Sequence, residues 1–480
     1  MTDKFVPIDM DAGTPRRDEQ VLDPAPSPRV PRLVVAHALA AGIDFERYFR
    51  WRRAHEGDRF FVRFPGFGSV LFAGSPAGAR EMFRAPAELL EPPRPNPIEP
   101  LVGTASLILA AGERHRNDRA LLAPAFHGPR IRAYGELIRD STLNEISGGA
   151  AGSTPWRPGT RIDSRAAARA ITLRVILEAV FGVDSRERRA VYTAAVTEFL
   201  NAFSGPLMLL PVLRHGLFGQ APWDRFLAAR TRLDALILAD VARRRNSATN
   251  HASADILGML LTTSYDDGTT ISDVDLCEQL RTLLVAGHET TATTMVWALF
   301  HLHREPETLG RLRAEIQAAG GDATPLELAR LPYLDAVCQE TLRLHPTVPI
   351  VLRRVTAPFT LLGVPLAAGD TMGVAVPLLH SDPGVWAEPE RFRPERFLER
   401  RYGPFEFAPF GGGHRRCVGA SLADYELRIV LATILGRVRL RLAPRFARGR
   451  TPLSVPHNIA TGPRRSIPFD VMGDLRHEPV

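Results

Sequence analysis

The sequence predicts a mainly α-helical protein with small β-sheets, built as a single large helix-rich domain. Helical periodicity dominates from about residue 113 to residue 245 and returns in two later segments, while strand-like patterns are short. No internal repeat or low-complexity linker divides the chain. Residues 1–31 are rich in Pro and charge, so we expect a flexible leader there, followed by one domain over residues 32–480.

Local patterns assign the elements in chain order. The predicted elements are a strand hairpin at 60–72, a loop at 91–112, helices between 113 and about 245, a long helix at 272–303, a helix at 331–344, strands at 350–375, a loop at 380–412, a helix from Cys417 to about Arg437, and closing strands. Ser272 or Asp273 is expected to cap the long helix, and Pro346 ends the next one. The second half of the loop at 91–112 is apolar, which indicates that it faces a ligand.

The composition is that of an ordinary globular protein and excludes several classes. Hydrophobic residues make up 45% of the 480 and charged residues 24%, which is enough apolar surface for a large core. The net charge of +7 is modest for this length, so we expect no nucleic-acid partner. Three widely spaced cysteines exclude a disulfide framework and a Cys-only zinc site. Without a signal peptide or a long apolar run, we expect a cytoplasmic protein with no transmembrane anchor.

The segment from Phe410 to Gly419 (FGGGHRRCVG) carries the strongest chemical signal. Its three consecutive glycines allow a tight turn with positive φ, and Cys417 precedes a helix N-terminus, where the dipole and nearby Arg stabilise a thiolate. A single thiolate without a Cys or His partner suits a metal that is held by a cofactor, and haem iron with an axial Cys is such a case. A glycine loop with an ordinary buried Cys is the alternative. A phosphate-binding loop is disfavoured because its Lys-Ser/Thr ending is missing.

A second signal, the segment 286–290 (AGHET), lies in the middle of the long helix. Gly287 costs roughly 1 kcal/mol relative to Ala inside a helix, and the close approach of a flat ligand is one way to offset that cost. Thr290 is expected to bond the carbonyl of Ala286, and an acid beside a hydroxyl is a sensible proton relay. An ordinary helix with a tolerated Gly is the alternative. A zinc-protease motif is excluded because Ala292 stands where its second His belongs.

Together, these two segments resemble the cytochrome P-450 family. The fixed positions of its haem-binding signature are matched by Phe410, Gly413, Arg415, Cys417 and Gly419. The oxygen-activation motif of the family is matched by residues 286–290. The resemblance covers about residues 30–475 and implies the cytochrome P-450 fold with haem b as cofactor. It makes Cys417 the axial thiolate ligand of the iron, and it gives Thr290 and Glu289 the delivery of protons.

The resemblance also implies which residues hold the haem and its loop. The family's partners of the haem propionates correspond to His115, Arg119, Arg353 and Arg415, although the adjacent Arg354 fits as well as Arg353. Further haem contacts correspond to Ala286, Phe410, Gly411 and Gly419. A buried structural triad that supports the cysteine loop corresponds to Glu340, Arg343 and Arg396. Taken without the family, the pair at 115 and 119 and the pair at 340 and 343 are ordinary charges on helix faces.

The substrate and the electron source are implied less directly. Positions that line the family's substrate pocket correspond to Leu107, Ile108, Phe203, Leu283, Val351, Leu352, Ile459 and Ala460. All are apolar, which implies an apolar substrate such as a fatty acid, a terpenoid or a polyketide, although each residue alone is equally compatible with a core position. The resemblance implies a monooxygenase that uses O2 and receives electrons from a ferredoxin or flavodoxin with its reductase. A peroxygenase, an isomerase or dehydratase, and a haem-thiolate sensor remain alternatives.

Overall fold

The computed structural model describes residues 44–64, 68–149, 154–216, 219–246, 255–457 and 459–475, together with His37 and Ala40. The leader expected at residues 1–31 lies outside the described residues. The prediction of a mainly helical protein with small sheets is confirmed.

Helices make up most of the described chain. In chain order they are α1 (Phe45–Glu56), α2 (Pro76–Arg84), α3 (Glu99–Val102), α4 (Gly112–Leu122), α5 (Pro129–Ile146), α6 (Ser164–Phe181), α7 (Arg186–Ala202), α8 (Gly205–Leu209), α9 (Pro222–Arg245), α10 (Ile256–Thr262), α11 (Asp273–Leu302), α12 (Pro306–Ala318), α13 (Pro325–Leu328), α14 (Pro332–Leu344), α15 (Val376–Leu379), α16 (Arg396–Glu399), α17 (Ala420–Arg437) and α18 (Pro444–Ala447).

The strands are short and fall into four small sheets. They are β1 (Arg59–Phe64), β2 (Gly68–Ala73), β3 (Leu90–Glu91), β4 (Arg161–Asp163), β5 (Ile350–Val355), β6 (Phe359–Leu361), β7 (Val364–Leu366), β8 (Thr371–Ala375), β9 (Val438–Leu442), β10 (Ser454–His457), β11 (Ala460–Pro463) and β12 (Pro468–Asp474). The largest sheet has the order β1-β2-β8-β5-β3, in which only the β2–β8 pairing is parallel. The others are β4-β12-β9 and the hairpins β6-β7 and β10-β11.

The long helix α11 forms the centre of the main core. It packs lengthwise against α6 and also contacts α9, α14, α17 and β11. Most of its side chains are buried all around the helix, which is the pattern of a core helix rather than a surface helix. Ser272 caps it by accepting a hydrogen bond from the Asp275 N–H (3.1 Å), so the predicted start is confirmed.

The other predicted elements are mostly confirmed, with two differences. β1 and β2 form the expected hairpin, and α14 and α17 lie where helices were predicted. The predicted loop at 91–112 contains the short helix α3. This helix is a single turn that ends at Gly103, whose φ is +91°. Within the predicted loop at 380–412, the short helix α16 is also present. None of the described helices is both long and apolar enough to cross a membrane.

Candidate active site

The cysteine loop, residues 410–419, turns tightly before α17. Gly411 and Gly413 both have φ of +67°, which confirms the predicted positive-φ turn at these two positions. Gly412 has an extended φ of −150°, so backbone conformation does not explain why this position is a glycine. A Cβ at Gly412 would lie 2.3 Å from the ring of Phe83, the penultimate residue of α2. Backbone conformation therefore requires glycine at 411 and 413, and close packing against Phe83 requires it at 412 and 413.

Cys417 lies deep in the protein and yet is an exposed residue, which indicates an internal opening beside it. Burial raises the pKa of this thiol, while a hydrogen bond from the Gly419 N–H and the charges of Arg416 and Arg119 lower it. Gly419 is also the N-cap of α17, which adds the positive end of the helix dipole. The net shift of the pKa is upward, so these groups only partly offset burial, and they would support the thiolate form once a metal is bound.

A group of positively charged and imidazole side chains lies close together near Cys417. This cation cluster consists of His115 and Arg119 on α4, Arg353 on β5, and His414 and Arg415 in the cysteine loop. Burial, and after it the charge of Arg415, lowers the pKa of Arg353 to about 9. Burial, followed by Arg415, His414, Arg119 and Arg353, lowers the pKa of His115 to about 3.

Among the described residues, Glu91 and Glu88 act on the cation cluster only at a distance, where they partly oppose the lowering of the pKa of Arg415 and His414. None of its three arginines forms an ion pair there, and Arg415 Nε has no hydrogen-bond partner in that part of the chain. Arg354, the alternative to Arg353, instead pairs with Glu91 (2.6 Å). Because buried cations without counter-ions are costly, the cluster fits a ligand that brings its own carboxylates. A haem with two propionates meets that requirement beside a cysteine sulfur.

One face of α11 opens toward a cavity. Ala286, Gly287 and Thr290 are partly exposed although the residues around them are buried. Thr290 follows Ala286 by four residues and Gly287 by three, so it lies one turn from each on this side of the helix. The Thr290 hydroxyl donates to the carbonyl of Ala286 (2.7 Å), as the sequence predicts.

The packing of α6 against α11 accounts for Gly287. A Cβ at this position would lie 2.8 Å from Cδ1 of Ile176 on α6. The glycine therefore lets α6 and α11 approach closely, which offsets its low helix propensity. The sequence alone did not indicate Ile176 as its neighbour.

Glu289 points toward α6 and not toward the face that carries Thr290. Its buried carboxylate forms a two-pronged ion pair with Arg169, with distances of 2.8 Å and 2.9 Å. Arg169 is about one-third exposed (35%), so the pair connects the buried carboxylate with the surface. The neighbouring His288 bonds Thr172 Oγ1 through Nδ1 (2.8 Å), and burial lowers its pKa to about 4. Sequence reasoning identified Glu289 but missed Arg169.

The structure brings the Glu–Arg triad together. Glu340 receives two hydrogen bonds from Arg343 (2.7 Å and 2.8 Å) and one from Arg396 (3.2 Å). All three side chains are buried. Arg343 also donates to the carbonyl oxygens of His380 (2.9 Å) and Pro389 (2.8 Å), so the triad holds the loop that leads toward Cys417.

His380 links the triad to that loop more directly. Its Nε2 accepts the Ala408 N–H (2.9 Å), which leaves Nδ1 to donate to the carbonyl of Arg343 (3.2 Å). Burial, followed by the charge of Arg343, lowers the pKa of His380 to about 3, so the ring is neutral. Nothing in the sequence marks the pairing with Ala408, because the two residues are 28 positions apart.

The predicted substrate-lining residues divide into two groups. The first group keeps some exposed surface and consists of Leu107, Ile108, Leu283, Val351, Leu352 and Ile459. Phe203 and Ala460 are each only 1% exposed. Phe203 packs at a tilt on Phe226 of α9 (ring centroids 4.8 Å apart) and belongs, like Leu107 and Leu283, to the main core cluster.

Comparison with known proteins decides the family. A family model for cytochrome P-450 matches residues 24–456. The chain belongs to the cytochrome P-450 family. It is 32% identical to cytochrome P-450 135A1 of Mycobacterium tuberculosis over 463 residues, an alignment that covers 94% of this chain and 96% of that protein. It is 34% identical to cytochrome P-450 135B1 of Mycobacterium bovis over 386 residues, which are 80% of this chain and 79% of that protein.

The fold of this cytochrome P-450 agrees with a solved structure. The retinoic acid-bound cyanobacterial CYP120A1 superposes with a TM-score of 0.75 over 88% of this chain and 93% of that one, at 24% sequence identity. This P-450 is a monooxygenase of the oxidoreductase class. Its cofactor is haem with a cysteine thiolate as axial ligand of the iron.

Proposed function

We propose that this cytochrome P-450 inserts one oxygen atom from O2 into an apolar organic molecule of fatty-acid, terpenoid or polyketide type. Electrons come from a separate ferredoxin or flavodoxin with its reductase, in the cytoplasm, and residues 32–480 form the haem domain. When bound, the haem supplies the iron that activates O2, with a thiolate ligand that favours cleavage of the O–O bond. The chain's own residues supply binding, orientation and protons.

The observation that carries the proposal is the cation cluster near an exposed cysteine that lies deep in the protein. We assign Cys417 as the iron ligand, because an internal opening lies beside it and its sulfur receives the Gly419 N–H. His115, Arg119, Arg353 and Arg415 are assigned to the haem propionates. Further haem contacts are assigned to Ala286, Phe410, Gly411 and Gly419.

Two side chains of α11 are assigned to proton delivery. The Thr290 hydroxyl uses its hydrogen to bond Ala286, so its lone pairs remain available to accept a hydrogen bond from the cavity. Glu289 is held by Arg169, whose partly exposed guanidinium gives the buried carboxylate a connection to solvent. The two residues therefore have separate tasks: Thr290 holds a proton at the cavity, and Glu289 passes protons inward when it swings away from Arg169.

The walls and the surface support the substrate and partner parts of the proposal. The wall residues Leu107, Ile108, Leu283, Val351, Leu352 and Ile459 are apolar, so the pocket favours an apolar molecule. Arg416 and Arg84 are exposed next to the cysteine loop and the Phe83 that packs on it. Exposed cations at this position suit an acidic electron donor.

The ligand assignment is tested with Cys417→Ser. This variant is expected to lose the red-shifted Soret band that haem-thiolate proteins show when reduced and bound to CO, because no thiolate remains for the iron. The matched control is Cys277→Ser, since Cys277 is buried beside Asp234 on the other side of α11. A Cys417→Ser protein that keeps the band would refute the assignment.

The reaction type is tested by the source of electrons. Product formation is expected to require NAD(P)H, a reductase and a ferredoxin or flavodoxin, and peroxide is not expected to replace them. Thr290→Ala is expected to uncouple electron consumption from product formation. Thr433→Ala is its control, because Thr433 makes the same type of bond to its own helix, to the Ile429 carbonyl (2.7 Å). Full activity with peroxide alone would favour a peroxygenase.

A further inference from the structure

The loop formed by residues 103–111, here called the wall loop, connects α3 to α4 and carries Leu107 and Ile108. It contains turns but no helix or strand. Its interior is nevertheless buried, since Ser106 is fully buried and Leu107 nearly so. Buried backbone groups without regular structure need hydrogen-bond partners from elsewhere in the protein. The identity of those partners determines how firmly this wall of the cavity is held.

Gln279 of α11 supplies the central partner. Its side-chain oxygen accepts the Leu107 N–H (3.0 Å), and its side-chain nitrogen donates to the Ala105 carbonyl (2.7 Å). The second N–H of the amide reaches Asp118 Oδ2 on α4 (3.2 Å). Gln279 is 1% exposed, so these bonds are shielded from water. Both hydrogens of the amide are used, and a flipped amide would lose all three bonds.

Neighbouring residues of α11 extend the same contact. Glu278 Oε2 accepts the Ala105 N–H (2.7 Å). The Glu278 carboxyl occupies the space where a Cβ of Gly103 would be, only 2.1 Å from its Cδ. Thr282 donates to Ser106 Oγ (2.9 Å).

The opposite end of the wall loop is held by the cysteine loop. Arg415 donates to the carbonyl oxygens of Ile108 (3.5 Å) and Ala110. Ser106 Oγ accepts the Ile108 N–H (3.2 Å), which connects this end with the bonds from α11. The wall loop is thus fixed between the helix that carries Thr290 and the loop that carries Cys417.

The position of Gln279 on α11 relates the wall loop to the reacting centre. Gln279 precedes Thr290 by eleven residues. Eleven residues make about three helical turns, so both side chains lie on nearly the same side of a rigid helix. A wall that is bonded to this helix keeps a fixed distance from Thr290.

We propose that Gln279 is a positioning residue that determines substrate specificity. It fixes Leu107 and Ile108 relative to the reacting centre, and a fixed wall rejects apolar molecules of the wrong shape because it cannot repack around them. Gln279 does not touch the substrate itself. The inference deepens the proposed function, on which it rests for the use of the cavity.

The test compares Gln279→Leu with Gln317→Leu in the haem-loaded protein. Gln317 is exposed on α12 and receives the same chemical change away from the site. Two backbone partners lose their bonds in Gln279→Leu, so hydrogen exchange in residues 103–111 is expected to become about 10- to 100-fold faster. In a series of apolar ligands of increasing size, the ratio of the largest to the smallest Kd, read from the Soret shift, is expected to shrink about tenfold.

Ser106→Ala provides a second, milder variant in case Gln279→Leu folds poorly. It removes the acceptor of the Ile108 N–H and is expected to change exchange and ligand ranking in the same direction, by about fivefold or less. Folded variants with wild-type exchange in the wall loop would overturn the proposal. Faster exchange with an unchanged ligand ranking would overturn it as well.

Failure of this inference and failure of the proposed function give different results. If wild-type protein lacks the thiolate Soret band, the proposed function is wrong before any Gln279 variant is made. If Gln279→Leu retains haem and the band but keeps the wild-type ligand ranking, only the specificity role is wrong.

Discussion

Two groups of arginines, the buried pair of the Glu–Arg triad and the half-buried set of the cation cluster, differ in how their charges are compensated. In the Glu–Arg triad, Arg343 and Arg396 share the carboxylate of Glu340 and fill their remaining donors with backbone carbonyls. In the cation cluster, Arg353 has only the carbonyl of its neighbour Leu352 as a partner (2.7 Å) among the described residues.

The difference distinguishes a structural site from a ligand site. A buried cation that is paired with a carboxylate of the protein needs no ligand, and removing either partner lowers the stability of the fold. A buried cation whose pKa is lowered by burial and by other cations is destabilising until an external anion arrives. Residue type alone does not separate the two cases, because both are built mainly from arginine. The compensation of charge inside the protein separates them.

The largest expected effect comes from breaking the compensated group. Glu340→Gln leaves Arg343 and Arg396 buried without an anion, so the free energy of unfolding is expected to fall by about 3–5 kcal/mol. Urea unfolding of the haem-loaded protein measures it. The control is Glu399→Gln, since Glu399 is half exposed (53%) in its pair with Arg393, and its loss is expected to cost less than about 1 kcal/mol. A Glu340→Gln protein as stable as that control would contradict the assignment of the triad.

A smaller effect is expected from an acid that is buried without a cation. Burial raises the pKa of Glu426 on α17 to about 8, and its Oε1 has no hydrogen-bond partner in the described chain. The folded state therefore holds a proton that the unfolded state releases near its ordinary pKa of 4.5. Stability from this group is present below about pH 4.5 and is lost as the pH rises toward 8.

Glu426→Gln removes this pH-dependent loss of stability. It tests the effect of an uncompensated charge with a buried acid instead of a cation. The variant is expected to gain stability relative to wild type as the pH rises, by up to about 3 kcal/mol at pH 7. Unfolding curves at pH 5 and pH 8 measure the gain at each pH. An equal difference at both values would show that Glu426 does not titrate in this range.

The smallest effect on stability is expected from the cation cluster. There, one substitution is expected to stabilise the haem-free protein and to weaken haem binding. Arg353→Gln removes a desolvated cation, so the haem-free protein is expected to become slightly more stable, by about 1 kcal/mol. If Arg353 holds a propionate as proposed, the haem-loaded variant loses a charged hydrogen bond, so haem release is expected to be about 10- to 100-fold faster. Thermal unfolding of the apoprotein and haem transfer to apomyoglobin measure the two changes. If the apoprotein becomes less stable and haem release also becomes faster, Arg353 is a structural residue.

Features that lie within a few consecutive residues were determined by the sequence. The positive-φ turn at Gly411 and Gly413, the bond from Thr290 to Ala286 and the Ser272 cap depend on neighbours at most four positions away or on backbone conformation. Turn and helix geometry bring such residues together in any protein that forms the local structure.

Contacts between distant parts of the chain were decided only by the tertiary structure. Gln279 meets Leu107 from 172 positions away, Arg169 meets Glu289 from 120, and Gly287 leaves room for Ile176 on another helix. A sequence lists such residues but not their separation in space, which is set by how the helices pack. For the same reason, only the packed structure distinguishes the arginines of the triad, which share Glu340, from those of the cation cluster, which form no ion pair among the described residues. The neighbours of a side chain come from its surroundings and not from its residue type.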